Sequence, residues 1–180
     1  MFDFLWNKKT EEKVLIKKAL SHLLAFVDEF KSYILGDEND SKPKNELALL
    51  LIYLGAIDGA RHRYHLRYEA FLNLADEFFQ KIEVDPISVE ILLDYHMDHA
   101  GNLVAWEAVQ EGLERYYQWS INASGWKLRG HQSFWGNYIL NENFPRTVGD
   151  LMLAVAEIER LSEKNPTAEE VVFEEIIEDL

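Results

Sequence analysis

Residues 47–57 read Leu47-Ala48-Leu49-Leu50-Leu51-Ile52-Tyr53-Leu54-Gly55-Ala56-Ile57, and this run decides the fold. As a helix it is apolar on nearly every side, so other helices must surround it. It spans only 11 residues and is interrupted by Gly55, too short to cross a bilayer. Gly55, Ala56, Gly59 and Ala60 leave a flat side where a second helix can come close. Glycine inside a helix costs about 1 kcal/mol relative to alanine, so close packing or a ligand is the reason to expect for it.

Helical periodicity continues on both sides. Upstream, Leu20, Leu23, Leu24, Val27, Phe30 and Ile34 recur at helical spacing, with Thr10 as the expected N-cap and Gly36 as the stop. Residues 36–44 form a polar loop, and Asn45 is the expected cap of the apolar helix. Downstream, a turn near Leu66 precedes a helix to about Ile82, carrying Phe71, Leu72, Ala75, Phe78 and Phe79. Asp85-Pro86 starts the next helix, to about His99, with a break at Gly101-Asn102 and a further helix to about Ile121. Residues 122–133 are non-periodic, a short helix is expected over 134–140, and Thr147-Val-Gly-Asp150 opens a helix to about Ser162. Nothing alternates like a strand. The expected fold is all-α: a single-domain antiparallel bundle of six or seven helices over residues 1–164, followed by an acidic amphipathic helix or tail over 165–180.

The composition narrows the function classes. Lys and Arg number 18 against 32 Asp and Glu, a net charge of −14, which opposes double-stranded nucleic acid as a partner and favours a basic one. There is no cysteine, so disulfides, thiolate nucleophiles and Cys-ligated zinc are excluded. The start of the chain lacks the basic-then-apolar order of a signal peptide, and no apolar run suggests a transmembrane segment; a cytoplasmic protein is the expectation. The Phe2-Phe4-Leu5-Trp6 cluster before Lys8 and Lys9 has the makings of a membrane-surface contact, but packing on the bundle is the expected use of residues 2–9.

Four constellations could carry chemistry. Two His-x-x-His pairs, His62/His65 and His96/His99, have the same spacing, and residues three apart are neighbours on a helix. Asp58 precedes His62 by one turn, so Asp58, His62 and His65 share a face if the helix reaches that far; a carboxylate and two imidazoles suit a divalent metal. His96 and His99 fall instead among Val89, Leu92, Tyr95 and Leu103, where a core histidine is expected. The basic, aromatic island Arg61–Tyr68 offers Arg61, Arg63 and Arg67 to an anion; the alternative is arginines paired with nearby acids. Trp106, Trp119, Trp126 and Trp135 crowd around a Gly-rich loop whose polar groups are Arg129 and His131, either as a ligand pocket or as a satellite core. Residues 169–180 carry six acids beside Val172, Phe173, Ile176, Ile177 and Leu180, suited to docking on the domain itself or on a basic, apolar partner.

The leading expectation is a non-enzymatic helical protein that binds a macromolecular partner, for example an inhibitor or immunity-type protein that occupies a basic site. The alternatives are a metal-dependent helical enzyme using both His pairs with Asp58, and a small-molecule sensor using the Trp-lined loop and the arginines.

Overall fold

A computed structural model of the chain describes residues 2–35, 46–98, 103–122 and 144–164. They form six helices and no strand: α1 (Phe2–Leu35), α2 (Glu46–Arg63), α3 (Tyr68–Lys81), α4 (Pro86–Asp98), α5 (Leu103–Ser120) and α6 (Val148–Lys164). The all-α bundle follows from the sequence, and its centre is where the apolar run places it. From Leu47 to Ile57 every residue of α2 except Leu50 is buried. α1, α3, α4 and α5 close around it, contributing Phe26 and Phe30, Phe71 and Phe78, Leu92, and Ala105 and Ala108 to one core.

The most extensive helix contact joins α2 to α5, not α2 to either of its neighbours in sequence. Its cause is a pair of glycines. A Cβ placed on Gly55 would overlap the backbone carbonyl of Val109, and one on Gly112 would overlap the backbone carbonyl of Ile52. Backbone therefore lies on backbone in both directions, and no side chain fits between. The C-terminal ends of these helices also meet. Gly59 abuts Tyr116, and Arg63 donates to the Ser120 hydroxyl at 2.8 Å. The two helices thus run in the same sense. α1 lies antiparallel to α2: its Lys31 sits over the Tyr53 ring and its His22 meets Tyr64.

Helix ends explain most of the element boundaries. Asp85 caps α4 by accepting from the Ser88 backbone N–H at 3.0 Å. Thr147 and Asp150 form a reciprocal capping box on α6: the Asp150 N–H donates to Thr147 Oγ1 at 3.1 Å and the Thr147 N–H to Asp150 Oδ2 at 2.9 Å. Three helix ends share one device, a non-glycine residue in the left-handed region: His65 (φ 53), Glu83 (φ 62) and Asn122 (φ 53). After α2, the Leu66 N–H bonds the Arg61 carbonyl and the His65 N–H that of His62; after α3, Val84 and Glu83 repeat the pattern with Phe79 and Gln80. Both are Schellman endings.

One boundary differs from expectation. Thr10 does not cap α1; the helix starts at Phe2 and passes through it. Residues 2–9 contain no Gly or Pro to stop a helix, so the cap preference of one threonine is overridden. The backbone of residues 2–9 is therefore helical. The expected cap Asn45, the break at Gly101-Asn102, the short helix over 134–140 and the tail over 165–180 lie outside the described residues.

The glycine contact yields a ranking that urea denaturation checks. Gly55→Ala and Gly112→Ala must push α2 and α5 apart, and each is expected to destabilise by about 3 kcal/mol or more, the upper end of overpacking. Gly59→Ala meets the Tyr116 ring at 2.9 Å and the nearest backbone, Leu113 O, only at 3.5 Å; with a helix propensity gain of about 1 kcal/mol it should cost less than either of the other two.

Candidate functional site

The end of α2 carries the first histidine pair and the arginine island. α2 stops at Arg63, so the face expected for Asp58, His62 and His65 is not completed. His65 lies beyond the helix in the left-handed region, where it serves as the residue that reverses the chain. Only Asp58 and His62 stay together, with the Asp58 carboxylate 3.6 Å from His62 Nε2. Between them stands a cation already. Arg61 Nε donates to Asp58 Oδ1 at 2.7 Å, and its Nη2 lies 2.9 Å from His62 Nε2. The guanidinium thus bonds Asp58 Oδ1 and faces His62 Nε2, while Asp58 Oδ2 is the oxygen turned to the imidazole.

His96 approaches this group from α4. Its ring stacks on Phe71 with centroids 5.0 Å apart and tilts against Trp106 at 5.9 Å. Burial lowers its pKa, with the Arg61 charge adding to that and Asp58 partly opposing it. Its Nδ1 is buried and has no hydrogen-bond partner among the described residues. His99 lies outside the described residues. Among the described residues no group of three or more His, Asp or Glu is placed to hold a metal.

The three arginines of the island are engaged with three different elements. Arg61 bonds within α2 and Arg63 reaches Ser120 at the end of α5. Arg67 forks onto both carboxylate oxygens of Glu12 on α1, at 3.0 and 2.9 Å. That pairing holds the Glu12 carboxyl below its ordinary range. The island is therefore a set of fasteners and does not converge on one anion.

The tryptophans separate in the same way. Trp106 and Trp119 sit 13 residues apart on α5, about 20 Å along the helix, and pack at different histidines. Trp126, Arg129, His131 and Trp135 lie outside the described residues. Trp119 belongs to a polar hub that no spacing in the sequence announces. His22 on α1 pairs with the Tyr116 hydroxyl at 2.7 Å and touches the rings of Tyr64, Tyr116 and Trp119. Trp119 Nε1 donates to Glu29 at 2.7 Å. Burial and the nearby Arg63 charge lower the His22 pKa. The one hint in the sequence is chemical: buried Tyr and Trp each need a partner for the polar atom.

Two of the depressions on the described surface bear on the charged and polar groups above. One, of about 700 Å³, is bounded by Lys31, Glu46, Tyr53, Glu83 and the start of α6; the Tyr53 hydroxyl is buried and has no hydrogen-bond partner among the described residues. The other is a groove of about 540 Å³ between α3 and α4. Leu72, Val84, Val89 and Leu93 form its floor, and Asp76, Glu90 and Asp94 stand at its edges. No Lys, Arg or His is among its described lining residues.

Comparison with known proteins adds no assignment: no family model, curated protein or solved structure matches this chain.

Two outcomes follow from the histidines. His65 holds a conformation that costs a side-chain-bearing residue about 1 kcal/mol, so His65→Gly is expected to raise the urea midpoint modestly; a marked loss would give the imidazole another role. His22 and His96 titrate in the folded chain below their ordinary 6.5. The unfolded chain therefore binds protons first as pH falls. Stability should hold above about 6.5 and decline as pH drops from there to the folded-state values. Urea midpoints measured from pH 7.5 to 5 check this, and His96→Phe, which keeps the stacking between Phe71 and Trp106, should flatten the decline.

Proposed function

We propose that this is a non-enzymatic, cytoplasmic binding protein whose partner is another protein with a basic surface. The observation that carries the reading is how the charges are used. Arg61, Arg63, Arg67 and Arg115 are each bonded to an acceptor of the same chain, and Arg146 and Arg160 are also engaged within it. The acids are not used up in this way. Glu11, Asp28, Glu69, Asp76, Glu77, Glu90, Asp94 and Glu107 are all exposed. Much of the net charge of −14 is thus presented to solvent, while these arginines are paired within the chain and Lys13, Lys17, Lys18 and Lys81 are the exposed lysines among the described residues.

A surface of this kind raises the encounter rate with a cationic partner and repels phosphate-bearing ones. It suits a protein that occupies and neutralises a basic site, as an inhibitor or immunity-type protein does. None of the described helices is long and apolar enough to cross a membrane.

The test is reconstitution. A partner captured at low salt from the native host is purified, and its affinity for the full chain is measured across a salt series. A complex of this type should weaken roughly tenfold or more between about 0.05 and 0.3 M salt, with the loss mainly in the association rate. An affinity indifferent to salt, or a partner whose contact surface is acidic, would overturn the reading.

A further inference from the structure

We infer that the α3–α4 groove is where this partner docks, and that the docked element is an amphipathic helix bearing Lys or Arg on both flanks of an apolar stripe. The inference rests on the basic-partner reading above and names its contact.

The groove combines two properties, and unlike the depression beside Tyr53, whose apolar and acidic lining also includes Lys31 and Arg146, its described lining holds no cation. Its floor is apolar, from Leu72 on α3 to Val89 and Leu93 on α4. Its two edges are anionic, Asp76 on the α3 side and Glu90 and Asp94 on the α4 side. Glu90 and Asp94 are one helical turn apart on the same helix, about 6 Å, so their charges repeat at the spacing of cations along one flank of a helix. Two helices with an apolar seam between them accept a third by the packing that fills ordinary bundles.

Chemistry removes the other occupants. An extended peptide gains affinity from an open sheet edge, and the walls here are helices whose backbone groups are paired within themselves. Phosphate-bearing ligands and anionic lipid meet three carboxylates and no cation. The chain's own last twelve residues carry six acids, and a second copy brings a net −14. A basic, amphipathic helix is the occupant that both the floor and the edges match.

The groove also has a direction. The acids stand away from the α3–α4 turn, whereas Gln80 and Pro86 line the end beside it. A docked helix is best placed with its N-terminus, the positive end of its dipole, toward Asp94 and its C-terminus toward the turn.

The full chain is titrated with a labelled synthetic peptide of about five helical turns, Lys and Leu set at helical spacing, and with a scrambled peptide of the same composition. The helical-spacing peptide should bind and shift the methyl signals of Leu72, Val84, Val89 and Leu93. A paramagnetic label on its N-terminus should broaden Leu93 more than Val84. Replacing Asp76→Asn, Glu90→Gln and Asp94→Asn together should weaken binding about tenfold, whereas Glu11→Gln, Glu69→Gln and Glu107→Gln, which remove equal charge elsewhere, should cost less than about threefold. The methyl shifts need no variant, so they report even if a triple variant folds poorly.

Equal losses from the two triples, equal binding of the scrambled peptide, or methyl shifts outside the groove would overturn the groove while leaving a basic partner in place. Self-association abolished by the groove triple would reassign the surface to a second copy and overturn the inference. Docking of the model peptide together with a salt-indifferent native complex would overturn the function proposed above and leave the groove standing.

Discussion

Everything in this fold is arranged around a contact that contains no side chain. At Gly55 and Gly112 the backbones of α2 and α5 touch each other's carbonyls, and this close approach fixes the distance between the two helices. Because α2 is so near α5, its Leu47–Ile57 segment can be covered on every side by only four other helices. The same approach brings the ends of α2 and α5 together, which lets His22 of α1 rest on Tyr64 and on Tyr116 and Trp119 at once. The aromatic hub is therefore a consequence of the glycines, although it lies well along the helices from them.

Charge follows a second, independent logic. In an acidic chain each arginine is scarce, and the described ones are spent on joints: α2 to itself, α2 to α5, and the α2–α3 connection to α1. Surface ion pairs of this kind add little energy each, but the bidentate grip of Arg67 on Glu12 also fixes direction. In the Asp58–Arg61–His62 group an arginine neighbouring the histidine in sequence becomes the carboxylate's partner. The described surface keeps an excess of negative charge, and between α3 and α4 it flanks an apolar floor with no cation among the described lining residues.

Much of the helix order was legible in the sequence, because local chemistry sets helix ends. Asp85-Pro86, the Thr147–Asp150 box and the unbroken apolar run all depend on residues within a few positions of one another. The flat side at Gly55 and Gly59 was legible too, as an invitation to close packing, but not the identity of its guest. The pairing of α2 with α5 depends on a contact between residues 57 positions apart, 55 and 112, and no pattern in either helix names the other. Thr10 failed as a cap because capping is a preference of about 1 kcal/mol that an uninterrupted helical stretch outweighs. His65 left the expected face for a reason of backbone geometry: the chain needed one residue in the left-handed region there, and spacing alone does not reveal which residue takes that conformation. The groove went unread because its floor and edges come from two helices whose separate patterns are those of any amphipathic pair.

The glycine contact also shapes how such a protein can change over generations. Both contacts are set by one quantity, the separation of α2 and α5. A first alanine, at either site, forces the helices apart and bears nearly the whole cost; once they are apart, the second site has room for its own methyl. The two positions are thus strongly epistatic although their side chains never meet. A lineage that keeps one glycine has every reason to keep both, and one that survives losing the first has little left to hold the second.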